Sequence, residues 1–305
     1  MSGDIPNVGA TGRYTASCIA VGGGTPDQTL CQRPRRDPQT DRAILLQLRR
    51  VLDAGRHVAL ATGRAVRRAS ALGFGDLPLE TVSANGALIC DARGELLRFS
   101  RFSPQVLEEL LAAFPGVSFN CIAEDGTYVR GTRESFLAGL RPSPGLLGRL
   151  IAHRLRRRPP APDTHFDQTD ADVLARPICK VNFRVADEAL RRELNGFVAD
   201  HASSIVNASF DGDLFELTDA RVNKGEAVAW LAGHLGIVES DVAVYGDGGN
   251  DLTMLERFSH SYAPKGASEA AKRAAGHVIG SCAHHAVSRH MLMTCRREGR
   301  LNRAG

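Results

Sequence analysis

The sequence predicts an α/β fold: a doubly wound parallel sheet interrupted by a large inserted α/β unit. Two observations carry that expectation. Short apolar runs, His57–Ala61 and Val242–Tyr245 among them, stop at glycine beside polar side chains and alternate with amphipathic stretches such as 41–54 and 226–235. Buried strands of this kind deliver polar groups to the carboxyl edge of a parallel sheet, where open α/β folds bind ligands. Residues 89–216, in contrast, show no such regular alternation, which suits a lid inserted into the core. The domain plan is therefore a disordered extension at 1–13, a core from 14–88 and 217–305, and a cap from 89–216.

In chain order, the first strand is Ser17–Val21, followed by Gly22-Gly23-Gly24-Thr25. The helix 41–54 has an acidic N-cap, an apolar face of Ile44, Leu45, Leu48, Val51 and Leu52, and a glycine stop at Gly55. Strand His57–Ala61 brings up Thr62-Gly63-Arg64, and Val82 runs into Ser83-Ala84-Asn85-Gly86-Ala87. The cap opens with a hairpin, Leu88–Cys90 and Leu96–Phe99, turning at Gly94. Ser103-Pro104 then starts a helix to about Phe114, by the cap-plus-proline rule. A second hairpin, the stretch 178–185, the helix Asp187–His201, and strands at 205–209 and 214–218 complete the cap. Residues 141–176 are irregular, rich in arginine and proline and then acidic, and are read as a solvated helix face and a loose loop. After 217 come the helix Glu226–Leu235, the strand and acid turn at 241–251, the segments 261–263 and 277–279, and helices at 252–256, 268–275 and 283–294. His284, His285 and His290 lack an acid at ligand spacing and read as a surface-helix feature.

Composition excludes several function classes. The 305 residues are 43% hydrophobic and 24% charged with a net charge of +4, an ordinary soluble balance. The basic excess is nearly all arginine, read as coding bias, and no aromatic residues interleave with it, so nucleic acid is not an expected partner. No run approaches the roughly 20 apolar residues of a membrane span, and residues 1–13 lack a signal peptide's apolar region. Seven cysteines without CxxC spacing fit free thiols in a reducing cytoplasm.

The chemistry concentrates at strand ends. Asp247 and Asp251, with Asn250 between them, could hold a hard cation such as Mg²⁺ through oxygen; alternatively Asn250 or Asp251 caps the next helix. Thr62 offers a hydroxyl, either to a phosphate oxygen or as a cap. Lys224, one of only four lysines, opens a helix, where a cation is disfavoured unless an anion binds beside it. Together these groups read as a phosphate pocket.

Four segments resemble the haloacid dehalogenase (HAD) superfamily, specifically Cof-like phosphatases with a large α/β cap on a Rossmann-like core. They are Ala61-Thr62-Gly63-Arg64, Ser83-Ala84-Asn85-Gly86-Ala87, Val222-Asn223-Lys224-Gly225 with 232–237, and Tyr245-Gly246-Asp247-Gly248-Gly249-Asn250-Asp251. The resemblance implies that Thr62, Gly63, Arg64, Asn85, Lys224 and Asn250 bind the phosphate of a small phosphorylated metabolite. It also implies that Asp247 and Asp251 serve Mg²⁺. Family members begin with Asp-x-Asp-Gly-Thr, in which the first Asp is the nucleophile and the second the acid/base. Aligning the Gly-Thr pair puts Val21 and Gly23 at those positions, and a one-residue slip puts glycine at both.

Aspartyl phosphatases form an acyl-phosphate on the nucleophile, and valine has no lone pair with which to attack. The expected function is phosphate-ester binding with Mg²⁺-dependent hydrolysis lost or strongly impaired and Mg²⁺ affinity weakened. Two alternatives stand beside it: an enzyme using Asp247, Asp251 or a repositioned Asp27 as base, and a scaffold using the arginine-rich cap.

Overall fold

The computed structural model describes residues 18–23, 38–138, 163–209 and 212–299. The extension 1–13, Asp27 and most of the segment 141–176 lie outside the described residues. Fourteen described strands form two sheets. In chain order they are β1 (Cys18–Gly23), β2 (His57–Thr62), β3 (Glu80–Ser83), β4 (Leu88–Cys90), β5 (Leu96–Phe99), β6 (Phe119–Ala123) and β7 (Thr127–Arg130). There follow β8 (Thr164–His165), β9 (Ile178–Arg184), β10 (Ile205–Asn207), β11 (Leu214–Asp219), β12 (Val242–Tyr245), β13 (His260–Pro264) and β14 (His277–Ile279).

The first sheet runs β14-β13-β12-β1-β2-β3-β4-β5 and is parallel from β14 to β3. Strand order reverses between β1 and β12, so the topological switch point of the doubly wound sheet lies there. Helix Pro38–Asp53 packs against Ala286–Glu298 on one face, burying Ile44, Leu48, Val51, Val287, Met291 and Cys295. The other face is covered by Lys224–His234 and Leu252–Arg257 through Val228, Leu231, Met254 and Leu255. Both faces of the parallel strands are thus covered, which is why β2 and β12 read as unbroken apolar runs.

The second sheet runs β10-β11-β9-β6-β7-β8 and is antiparallel except at β7–β8. Helices Pro104–Ala113 and Glu188–Asp200 pack on one of its faces around Leu107, Leu110, Phe119, Phe183, Leu194 and Phe215. Ser103 and Asp187 cap them, each side chain accepting an amide hydrogen bond three residues on. Cys121 and Cys179 lie fully buried in this unit, and burial pushes both thiols up to about 12, so they act as small core hydrophobes.

Three expectations need correction. The hairpin β4–β5, assigned above to the cap, pairs through β3 with the core sheet and continues it antiparallel. Within the segment read as irregular, residues 163–176 form β8 and a helix, Asp170–Leu174. Thr169 and Asp172 close a capping box there, with the Asp172 carboxylate accepting from the Thr169 hydroxyl at 2.6 Å. The last helix begins at Ala286 rather than Ala283, and His290 turns inward, sharing a 2.9 Å hydrogen bond with the Tyr245 hydroxyl and packing on Tyr262. Among the described residues no helix is long and apolar enough to cross a membrane.

Two outcomes follow. Leu231→Ala should destabilise the core by about 2–5 kcal/mol in chemical denaturation, since Leu231 is fully buried between helix and sheet. Burial, reinforced by Arg297 and His277, holds the His290 imidazole below its ordinary range. The unfolded chain therefore binds the extra proton first, and stability is complete above about pH 6.5 and falls as pH drops through that value toward the depressed one. His290→Phe should flatten this acid limb, measured as denaturation midpoints between about pH 7.5 and pH 5.

Candidate functional site

The switch point places the sequence-predicted groups on one edge of the core. In the parallel register Val21 stands level with Leu60 and Tyr245, and Gly23 with Thr62. Thr62 and Asp247 are thus carried past the level of Val21 by the ends of β2 and the turn after β12.

Thr62 is buried, and its Oγ1 accepts the Arg64 amide at 3.1 Å, closing a tight turn after the strand. The amide occupies a lone pair and leaves the hydroxyl proton free to donate. Gly63 is required by close approach: a Cβ there would lie 2.9 Å from the Asn85 Oδ1. Arg64 itself is exposed at the rim. Asn85 is left-handed at φ 60°, a conformation asparagine tolerates better than most residues, and it is preceded by Ala84 at φ 51°. The Ala84 amide donates to the Arg64 carbonyl at 2.9 Å, tying the two turns together. The Asn85 Oδ1 accepts from the Asn250 Nδ2 at 3.2 Å, so both predicted amides meet.

Lys224 is the first residue of the helix capped by Asn223, and it is 1% exposed rather than solvated. Its Nζ donates to the Asp251 Oδ1 at 2.7 Å. The Asp251 Oδ2 accepts the backbone amides of Asp247 at 2.9 Å and Gly248 at 3.1 Å. Asp251 makes no side-chain cap bond to the helix that follows, so the capping alternative does not hold for it. Gly246 is needed beside it, because a Cβ would fall 2.6 Å from the Asp251 Cβ. With one oxygen on an ammonium and the other on two amides, Asp251 organises the turn.

That geometry bears on the cation. Mg²⁺ demands near-octahedral oxygen coordination and gives up its waters reluctantly. Asp251 is spent internally, Asp247 is the other carboxylate of the turn, and no group of three or more acidic, histidine or cysteine side chains among the described residues could hold a metal. The turn thus offers Asp247 and the internally bonded Asp251 as its carboxylate donors, a set of the size that Mg²⁺ takes when it keeps several of its waters.

Two residues absent from the sequence reading complete the arrangement, both from the cap. Lys180 on β9, fully buried, donates from Nζ to the Gly63 carbonyl at 2.7 Å and to the Glu216 Oε1 at 2.5 Å. Glu216 on β11 accepts from the Asn85 Nδ2 at 3.3 Å through its other oxygen. Burial lowers the Lys180 ammonium and the Glu216 carboxylate opposes that shift. A lysine inside the apolar run 178–185 was the available signal, since an unpaired charge is not tolerated there. Beside the site, a cleft of about 670 Å³ opens between residues 65–71 and the cap turn 122–127, lined by Arg67, Arg68, Glu124 and Asp125.

A family model described as haloacid dehalogenase-like hydrolase matches residues 27–291. Among curated relatives, the HMP-PP phosphatase of Klebsiella pneumoniae (strain 342) is 26% identical over 261 residues, which cover 83% of this chain and 88% of that protein. Among solved structures, BT1666 from Bacteroides thetaiotaomicron, a phosphatase of the same superfamily, aligns with a TM-score of 0.69 at 19% identity over 96% of this chain and 99% of its own. The subclass IIB sugar phosphatase BT4131 aligns with a TM-score of 0.67 at 18% identity over 90% and 97%. At those identities the structural likeness shows the fold: a HAD core with a cap.

Removing the Lys224 charge strands a buried carboxylate. Lys224→Met should destabilise the protein by about 3–5 kcal/mol, and the double variant Lys224→Met/Asp251→Asn should lose less than the sum of the singles, as read by a denaturation cycle.

Proposed function

The chain belongs to the haloacid dehalogenase-like hydrolase family, and from that premise we propose that it binds a small phosphorylated metabolite while standard aspartyl phosphatase turnover is lost. The observation that carries this reading is the strand register. By the Gly-Thr alignment the nucleophile position lies within β1, two residues short of the level of Thr62 on β2. The residue at that place is Val21, and Gly23 stands where the acid/base would be.

What remains favours an anion. The Thr62 hydroxyl donates to one phosphate oxygen. Lys224 has three donors, of which one is engaged by Asp251, so its charge and remaining hydrogens serve the phosphate. Asn85 and Asn250 tie the two turns to each other. The relatives named above are phosphatases of HMP-PP and of sugar phosphates, and a ligand of that class, a phosphate ester of a small polar molecule, is proposed for this chain. Mg²⁺ affinity is proposed to be weakened, with Asp247 its main protein ligand and Asp251 acting through the turn.

Calorimetry with inorganic phosphate, sugar phosphates and nucleotides should detect binding by the unaltered protein, and no Mg²⁺-dependent phosphate release should accompany it. Val21→Asp combined with Gly23→Asp should raise hydrolysis of a generic phosphate ester by at least about 10²-fold, because a nucleophile and an acid/base are returned together. Robust Mg²⁺-dependent release by the unaltered protein would overturn the reading.

A further inference from the structure

The Gly63 carbonyl and the Arg64 amide belong to one peptide unit, and the two ends of that unit face different partners. Its oxygen accepts from the Lys180 ammonium at 2.7 Å, and its N–H donates to the Thr62 Oγ1 at 3.1 Å. An ammonium on a carbonyl polarises the peptide and strengthens the hydrogen bond at the opposite end. Thr62 then has an oxygen occupied by a strengthened donor, and its own proton points elsewhere. The chain of bonds runs from the cap's cation, through a backbone peptide, to the hydroxyl.

We propose that Lys180, held by Glu216, is a positioning residue of the phosphate pocket: it fixes and polarises the Gly63–Arg64 peptide so that the Thr62 hydroxyl is presented to the anion. This rests on the reading of Thr62 as a phosphate donor. Glu216 has two tasks. One oxygen holds Lys180, and the other holds the Asn85 amide, whose carbonyl meets Asn250 in the acid turn. The cap therefore holds the Thr62 turn directly and reaches the Asp247 turn through Asn85. The surrounding cap face supports a polar role. Asn182 and Glu216 are cross-strand neighbours, as are Lys180 and Thr218, and Asn120 lies level with Asn182 on the next strand. The Asn182 Oδ1, the Asn120 Oδ1 and the Thr218 Oγ1 are buried there with no protein partner.

The test uses the full-length protein with Lys180→Met, Lys180→Arg and the double variant Lys180→Met/Glu216→Gln, which removes the stranded carboxylate should the single variant fail to fold. Two quantities are read: the hydrogen-exchange rate of the Arg64 amide, with the β2 amides of Val58–Ala61 as reference, and the affinity for inorganic phosphate. Exchange at Arg64 should quicken and phosphate affinity fall about tenfold in the methionine variants while the β2 amides keep their protection, a change equivalent to about 1.4 kcal/mol. Lys180→Arg, which keeps a donor for the carbonyl, should restore most of the affinity, an outcome that loss of packing alone does not give. Folded methionine variants with unchanged Arg64 exchange, or with wild-type phosphate affinity, would overturn the proposal. If the unaltered protein binds no phosphate yet Arg64 exchange quickens in the variants, the positioning of the peptide stands and the phosphate reading of the site falls.

Discussion

The buried pair of Lys224 and Asp251 is the constraint around which the site is built. Neither side chain is exposed, and each has to be satisfied within the protein because a lone charge at that depth would be prohibitive. Satisfying Asp251 requires more than the ammonium. Its second oxygen draws in the amides of Asp247 and Gly248, and this fixes the path of the chain after β12. Gly246 permits the approach, Asn250 is turned toward Asn85, and the loop after β3 is thereby joined to the loop after β12. One electrostatic requirement thus sets the shape of two separate turns.

A second ion pair, Lys180 with Glu216, does the corresponding work from the other domain. The two pairs differ in what surrounds them. Lys224 and Asp251 are wholly within the core, whereas Lys180 and Glu216 are carried by cap strands and spend their remaining valence on core groups. Apolar packing between Leu88, Ile122, Cys179 and Val222 backs this polar junction. The cap is therefore attached to the pocket by directional bonds as well as by buried surface.

Much of the site was legible because its parts are local. Thr62, Lys224, Asp247 and Asp251 each sit at the end of a strand or the start of a helix, within a short run of small and polar residues. Asp251 was legible as a charged turn residue but not as the partner of Lys224, since 27 residues separate them and the pairing is set by tertiary packing. Lys180 carries a local mark, a charge inside an apolar run, but its partners do not: only the sheet register and cap placement bring Lys180 to Gly63 and Glu216 to Asn85. The hairpin 88–99 was recognised as a hairpin and assigned to the wrong sheet, because antiparallel strands carry no local mark of the edge they will join. His290 was read as a surface residue, and its inward turn depends on Tyr245 and Tyr262, which belong to distant strands.

The chain crosses between the two sheets twice, at residues 100–103 after β5 and at 220–223 after β11. Lys224 follows the second crossing directly, as the first helical residue on the core side. Lys180 lies on an interior strand of the second sheet. The two ammonium groups therefore come to neighbouring turns from opposite sides of the domain boundary, one arriving along the chain and the other across a gap in sequence of 117 residues.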